Sequence, residues 1–191
     1  MSRDYLLVIG EAAALAWVLA EQRMAFPALR RSQAMALDVG DKLFIYTTRG
    51  CFHSPGHDVG RVIGLANVAT QVRELAEPVV FGERSYTSAC ALAIQGVAAL
   101  REGVELSPLV AGLHAFPDPA TWSVRLRRPL VPLDEHDASV LRRLLASRLE
   151  PLERHLGAYL QIAKRRQVGR ADGTASTPLD RRVSDLSQRS L

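Results

Sequence analysis

The chain has 191 residues, 48% of them hydrophobic, and a formal net charge of +4. This length buries a sizeable core without disulfides or a metal, and two cysteines make no disulfide framework. No apolar stretch is long enough to span a bilayer and no signal-peptide pattern is present, so we expect a cytoplasmic protein with no membrane partner.

The positive charge is concentrated at the C-terminus. Residues 164–191 contain seven basic and three acidic side chains, which accounts for the whole net charge. The preceding residues carry 17 of each sign. A nucleic-acid function for the folded part must therefore depend on local patches and not on the overall charge.

The first part of the chain predicts a strand, a helix and two further strands. Residues 5–9 form a short apolar run, and residues 11–24 are rich in alanine and leucine at helical spacing. Residues 42–47 and 60–70 have the apolar character of strands. Gly64 interrupts the second of these, which is typical of a bulge or of a close approach between backbones.

The middle of the chain predicts further extended segments. Residues 79–87 are typical of a hairpin that turns at Gly82 and Glu83. Residues 89–98 form another strand or a short helix, since their alanines leave both open. Residues 122–126 and 129–131 are expected to be extended.

Two helices are predicted near the C-terminus. Asp134 is a plausible N-cap for the first, with Asp137 three residues later. Residues 151–166 contain the second, which is amphipathic, and residues 167–191 have the composition of a flexible basic tail. We therefore expect an α+β fold, with a curved or closed mixed sheet flanked by helices, in a domain over residues 1–150.

The loop between the second and third predicted strands carries metal-ligand residue types. Cys51, His53 and His57 lie close together in sequence, and Asp58 offers a fourth ligand. Structural zinc sites usually draw pairs of ligands from separate elements, so a polar loop is the favoured interpretation. A Cys51 and His53 nucleophile pair also needs an orienting third group.

No enzyme fingerprint is present in the sequence. It lacks a nucleophile elbow, a phosphate-binding loop and a dinucleotide-binding pattern. We therefore expect a protein that is not an enzyme and needs no cofactor. A metal-dependent or cysteine-dependent hydrolase of a small nucleotide-like molecule stays open as an alternative.

Aromatic and polar residues are grouped at the end of the second predicted strand. A base-binding pocket needs a stacking surface and a few fixed donors and acceptors. Candidates for these roles are Tyr46, Thr47, Thr48, Arg49 and Phe52, with Phe26, Phe116 and Trp122 elsewhere in the chain. A lone aromatic beside a strand is more often a core residue, so only the grouping favours binding.

Several motifs, in order, resemble the EVE domain family, PUA-like β-barrels related to YTH and ASCH domains. They are DYLLVIG, GDKLFIYTTR followed by GRVIGLANV, LHAFPDPATWSVRLRRPLVPL and LDEHDASVLRRLL. The resemblance covers about residues 3–146. It implies a PUA-like β-barrel flanked by helices that binds a modified base in DNA or RNA without catalysing a reaction.

The resemblance also implies where the pocket lies. The polar pocket segment of the family falls on Thr47, Thr48 and Arg49, and a second contributing segment falls on residues 24–31, with Phe26 and Arg30. Many relatives carry a tryptophan in that second segment, where this chain has Phe26. The loop at residues 50–59 is longer than usual and would form an insertion at the pocket rim.

A third hypothesis is an interaction module with a vestigial pocket. In this case the amphipathic helix at residues 152–166 would bind a partner or a second copy of the chain, forming a homodimer. In the reader hypothesis, the basic tail would instead add salt-dependent affinity for a nucleic-acid backbone.

Overall fold

The computed structural model describes residues 2–28, 34–52, 58–81 and 83–171, with side chains described up to residue 164. The centre of this part of the chain is a mixed sheet of eight strands. The strands are β1 (Asp4–Ile9), β2 (Arg23–Phe26), β3 (Lys42–Thr47), β4 (Arg61–Val68), β5 (Arg73–Phe81), β6 (Arg84–Val97), β7 (Val104–Glu105) and β8 (Leu130–Leu133).

Helices flank both faces of the sheet. They are α1 (Ala12–Glu21), α2 (Trp122–Arg125), α3 (Glu135–Ala146) and α4 (Leu152–Ala171), with a short 3-10 helix at Ser107–Gly112. None of the helices within the described residues is long and apolar enough to cross a membrane.

The strand order is β2, β6, β4, β3, β1, β8, with β5 added to β6 and β7 added to β4. Strands β1 and β3 are parallel, and every other pair is antiparallel. The 14-residue strand β6 pairs with β2, β4 and β5, so the sheet curls into a half-barrel. The predicted α+β class and curved mixed sheet are confirmed.

Gly64 lies where strands approach closely, as the sequence predicts. The register between β3 and β4 shifts here, because Ile45 pairs with Gly64 while Tyr46 pairs with Val62. A Cβ atom on Gly64 would lie only 3.0 Å from the carbonyl oxygen of Gly96. The absence of a side chain therefore lets the curled strands β4 and β6 come together.

The sheet separates two apolar cores because successive strand residues point to opposite faces. Leu7 and Ile45 belong to the core that α1 and α4 cover. Leu6 and Phe44 belong to the other core, which α3 covers.

Helix α1 ends three residues earlier than the sequence predicts. Gln22 adopts a left-handed conformation, with φ of 47°, which stops the helix after Glu21. Met24, which is predicted to be helical, instead lies in β2 and pairs with Cys90 in β6. Pairing with β6 satisfies this backbone and so takes priority over local helix propensity.

The extended conformation predicted for residues 122–126 is wrong. Trp122–Arg125 forms one helical turn, α2. It begins after a local turn in which the Thr121 hydroxyl donates to the carboxylate of Asp118 at 2.6 Å. The extended segment starts later, at β8, where pairing with β1 provides the hydrogen bonds.

The N-cap predicted at Asp134 is confirmed. Its carboxylate accepts the backbone N–H of Asp137 at 2.9 Å, and its backbone is extended as an N-cap requires. Asp137 itself is fully buried and accepts the backbone N–H groups of His114 and Ala115 at 2.8 and 2.7 Å. These bonds fix the segment before α2 against the start of α3.

Helix α4 covers α1 and continues to Ala171, beyond the predicted end at residue 166. Leu152, Tyr159 and Ala163 are buried in the same core as α1. The Tyr159 hydroxyl donates to the carbonyl oxygen of Ala98 at 3.0 Å, and burial raises the pKa of this tyrosine. The apolar face proposed for a partner is thus occupied within the chain, while the domain division at residue 150 stays a prediction.

Candidate functional site

The carboxyl ends of the parallel strands β1 and β3 meet at one edge of the sheet. The backbone N–H of Thr48, just after β3, donates to the carbonyl oxygen of Ile9 at 3.0 Å. On the other side of β1, the N–H of Val8 donates to the carbonyl oxygen of Pro129 at 2.9 Å. The turn into α1, the end of β3 and the segment before β8 therefore lie side by side.

A cavity of about 620 Å³ opens beside this edge. Its walls come from α1, β2, the tip of the β5–β6 hairpin and the segment that leads into β8. The described residues that line it are Val8, Ile9, Gly10, Glu11, Ala14, Trp17, Val18, Met24, Ala25, Pro27, Thr48, Phe81, Arg84, Ser85, Tyr86, Leu126, Arg127, Arg128 and Pro129. This volume lies in the range of small-molecule sites.

Three aromatic rings form one wall of the cavity. Trp17 and Phe81 meet edge to face, with ring centroids 5.8 Å apart, and Phe81 meets Tyr86 in the same way at 5.5 Å. All three side chains are half-buried. The Arg23 guanidinium lies over the Trp17 ring, 6.0 Å from its centroid. The wall thus offers flat, partly exposed apolar surface of the kind that stacks on a planar ligand.

The cavity also carries an uneven set of charges. Arg84, Arg127 and Arg128 are exposed, and within the described residues their side chains form no salt bridge. Elsewhere arginines do pair, as Arg61 does with Glu105 at 2.8 Å. Three arginines without an acidic partner at one cavity are suited to an anionic ligand group.

One residue of the polar segment predicted from the EVE resemblance lines the cavity. Thr48 is half-buried, and its hydroxyl would lie 3.7 Å from a Cβ atom on Gly10. Thr47 is buried, and its hydroxyl donates to the carbonyl oxygen of Arg61 at 3.3 Å. Arg49 follows in an exposed turn and is not among the lining residues.

The predicted aromatic residues lie elsewhere. Tyr46 is 2% exposed in the core that α3 covers, and burial raises the pKa of its phenol to about 12. Phe26 and Phe52 are buried in the core beneath α1. Trp122 packs edge-on against Phe116 at 5.9 Å. None of these rings lines the cavity.

The second predicted segment contributes in part. Met24 and Pro27, from residues 24–31, line the cavity. Arg30 lies outside the described residues.

The loop with metal-ligand residue types is only partly described. Cys51 is fully buried, and burial, together with the negative charges of Asp58 and Glu11, raises the pKa of its thiol to about 12. Asp58 forms a salt bridge with Arg101 at 2.7 Å. His53 and His57 lie outside the described residues. A neutral, buried thiol is a poor nucleophile and a poor metal ligand.

His114, Asp134 and Asp137 have possible metal-ligand atoms within 4.8 Å of one another. The Asp134 carboxylate bonds to the His114 ring at 2.7 Å, and Asp137 accepts two backbone N–H groups. These bonds give the cluster a structural role at the start of α3.

The aromatic wall was not predicted from the sequence. Trp17 lies at helical spacing among alanines and leucines, where a core role is the usual interpretation. Phe81 and Tyr86 flank the predicted hairpin turn, so the sequence predicts them as strand residues and does not indicate a function for them. The run of arginines at residues 125–128 was the available signal, since no acidic residue interrupts it.

Comparisons with known proteins identify the fold. No protein-family model and no curated protein sequence matches the chain. Similar solved structures include a hypothetical protein from Leishmania major, with TM-score 0.51 and 15% identity over 77% of this chain and 96% of that chain. The Pho92 YTH domain in complex with m6A gives TM-score 0.51 and 12% identity, covering 75% of this chain and 83% of that chain. The Mmi1 YTH domain in complex with RNA gives 0.50 and 9%, covering 78% and 84%. The chain therefore has the PUA-like α+β fold.

Proposed function

We propose that this chain is a non-enzymatic, EVE-type reader that holds a modified base of DNA or RNA in the cavity beside α1. The observation that carries the proposal is the composition of the cavity walls. Trp17, Phe81 and Tyr86 provide an aromatic wall, and the lining also includes three exposed arginines that form no salt bridge within the described residues.

The two features suit the two parts of a nucleotide. A base is flat and apolar on its faces, and stacking on an aromatic ring stabilises it by about 1–3 kcal/mol per base. The phosphates on either side carry negative charge, which Arg84, Arg127 and Arg128 are free to neutralise within the described part of the chain. A single cavity is thus suited to both groups.

The fold supports the same proposal. Two YTH domains with this fold have been solved in complex with RNA and with m6A. The order of the sequence motifs favours the EVE family, whose members are thought to bind modified bases. A base must leave its stack to enter such a cavity, so single-stranded or flipped nucleotides are the expected ligands.

Fluorescence anisotropy with short DNA and RNA strands tests the proposal. Each strand carries one modified base or its unmodified counterpart at the same position. We expect at least one modified strand to bind about tenfold more tightly than its counterpart, and Trp17→Ala to remove this preference. Tyr5→Ala is the control, because Tyr5 is also half-buried but does not line the cavity. Equal binding of all strands by the folded protein would overturn the proposal.

A further inference from the structure

Glu11 is the one carboxylate among the described residues that line the cavity. It precedes α1 with an extended backbone, and its side chain makes no capping bond to the helix. Within the described residues it also forms no salt bridge. Glu11 therefore has no structural partner of the kind that explains Asp134 at the start of α3.

Glu11 lines the same cavity as the aromatic wall. Ala14 and Trp17 lie three residues apart in α1 and so on one side of the helix, and Glu11 immediately precedes the helix. All three line the cavity. Glu11 and Trp17 thus bound the same space.

A second polar group lies beside Glu11. The hydroxyl of Thr48 lies against Gly10, the residue before Glu11. The negative charge of Glu11 also acts on Cys51, whose backbone N–H donates to the carbonyl oxygen of Thr48 at 3.0 Å. Glu11 and Thr48 thus follow the neighbouring ends of β1 and β3, and both line the cavity.

The Glu11 carboxylate and the Thr48 hydroxyl differ in the hydrogen bonds that they can make to the edge of a base. An ionised carboxylate only accepts hydrogen bonds, whereas a threonine hydroxyl both donates and accepts. A base with an exocyclic amino group presents an N–H donor to the carboxylate. A base with an oxo group at the same position presents a lone pair, which the carboxylate repels, and a partly buried polar group is then left unpaired.

The arginines do not remove this selectivity. Arg84, Arg127 and Arg128 are exposed, whereas Glu11 is half-buried. In the proposed complex the phosphates bind to the exposed guanidinium groups. The carboxylate is left to the edge of the base.

We propose that Glu11 is a specificity-determining residue that selects bases with an exocyclic amino N–H over bases that carry oxygen in place of the amino group. This inference rests on the proposed function, because it assumes that a base enters the cavity. The expected ligand is a methylated base that carries an amino N–H, such as a methylated adenine or cytosine, and not a methylated uracil or a purine with oxygen in place of the amino group.

Two pairs of strands test the inference, each pair differing only at the tested position. One pair carries N4-methylcytosine or 4-methoxypyrimidin-2-one, and the other carries N6-methyladenine or 6-methoxypurine, so that the ring nitrogen beside the tested group stays an acceptor in every base. Within each pair the methyl group is retained while the amino group is replaced by oxygen. We expect the wild type to bind the amino member of at least one pair about tenfold more tightly, as measured by fluorescence anisotropy.

Glu11→Gln is the informative variant, because an amide donates as well as accepts. We expect it to reduce the difference within the pair to less than about threefold. Glu21→Gln is the control, since Glu21 ends the same helix, is exposed and does not line the cavity. Thermal melting of both variants checks that the fold is retained.

The outcomes separate this inference from the proposed function. Equal binding within both pairs, or an unchanged ratio in Glu11→Gln, overturns the role of Glu11 if Trp17→Ala still weakens binding. Failure of every modified strand to bind overturns the proposed function and the inference with it. A ratio that falls in Glu11→Gln but not in Glu21→Gln supports the inference.

Discussion

The ring of Phe81 meets the ring of Trp17 edge to face, with the centroids 5.8 Å apart and the planes inclined by 64°. Trp17 belongs to α1 and Phe81 to the last position of β5. This contact joins the helix to the β5–β6 hairpin. It therefore holds the hairpin against α1 beside the cavity.

We expect Phe81→Ala to weaken binding of a preferred strand by about tenfold, because it removes one ring and the support of two others. An aromatic pair contributes about 0.5–1.5 kcal/mol beyond the area it buries. Anisotropy titration measures the effect. Val80→Ala is the control, because Val80 is the preceding strand residue, 61% exposed and not part of the cavity. Equal affinities for the two variants would contradict the role of Phe81.

The exposed arginines that line the cavity, Arg84, Arg127 and Arg128, are expected to set the salt dependence of nucleic-acid binding. Each phosphate contact with a single strand contributes about 0.7 to the slope of log K against log salt concentration. The double variant Arg127→Ala/Arg128→Ala should reduce the magnitude of this slope by about 1.4, because two phosphate contacts are lost. The control is Arg143→Ala in α3, which removes an exposed arginine that does not line the cavity. An unchanged slope in the double variant would show that these arginines do not contact phosphates.

Cys51 is expected to be unreactive in the folded protein. Burial raises the pKa of its thiol to about 12, so at pH 8 the thiol is neutral and inaccessible. In a Cys90→Ser background, a thiol reagent should label Cys51 at pH 8 only after the protein unfolds in denaturant. Rapid stoichiometric labelling of the native protein would contradict this and favour the hydrolase hypothesis.

The same pKa shift affects stability at high pH. The unfolded thiol ionises near its ordinary pKa, while the folded thiol stays protonated to about pH 12. The unfolded state therefore gains relative stability above about pH 9, and the free energy of unfolding should fall from there. Cys51→Ala should flatten this decline in a series of urea titrations between pH 8 and pH 10. A decline that is equally steep without Cys51 would exclude it as the cause.

Asp137→Ala should destabilise the fold by about 3 kcal/mol. The buried carboxylate accepts the backbone N–H groups of His114 and Ala115, and each unsatisfied buried donor costs about 1–3 kcal/mol. Urea denaturation measures the change. Glu135→Ala, in the same helical turn but exposed, should stay within about 0.5 kcal/mol of the wild type. Similar values for both variants would contradict the role assigned to Asp137.

The sequence predicted much of the fold because its strands are strongly apolar. Residues 42–47 match β3 in both bounds, and the N-cap at Asp134 has a side-chain pattern that needs no tertiary information. The end of α1 was mispredicted because the left-handed conformation of Gln22 and the pairing of β2 with β6 are not visible locally. Helix α2 was mispredicted for a similar reason, since one turn has too few residues for a periodic pattern.

The residues that line the cavity were predicted less completely than the fold. Thr48 lies at the cavity because it follows a strand whose carboxyl end meets that of β1. Phe81 and Tyr86 flank the hairpin that the sequence predicts, but only the tertiary fold brings them to Trp17 on α1. Sequence spacing cannot report such contacts. The aromatic residues near Thr48 in sequence were therefore proposed in place of those near it in space.

The long strand β6 has a consequence for how a ligand would enter. It carries Tyr86 near its start and pairs with β2, β4 and β5 along its length. Two residues of the aromatic wall, Phe81 and Tyr86, thus belong to paired strands of the sheet. A wall held in this way is preorganised, so little conformational entropy is lost when a base is captured. We expect the association rate to be limited by how often the nucleotide leaves its stack and not by rearrangement of the protein.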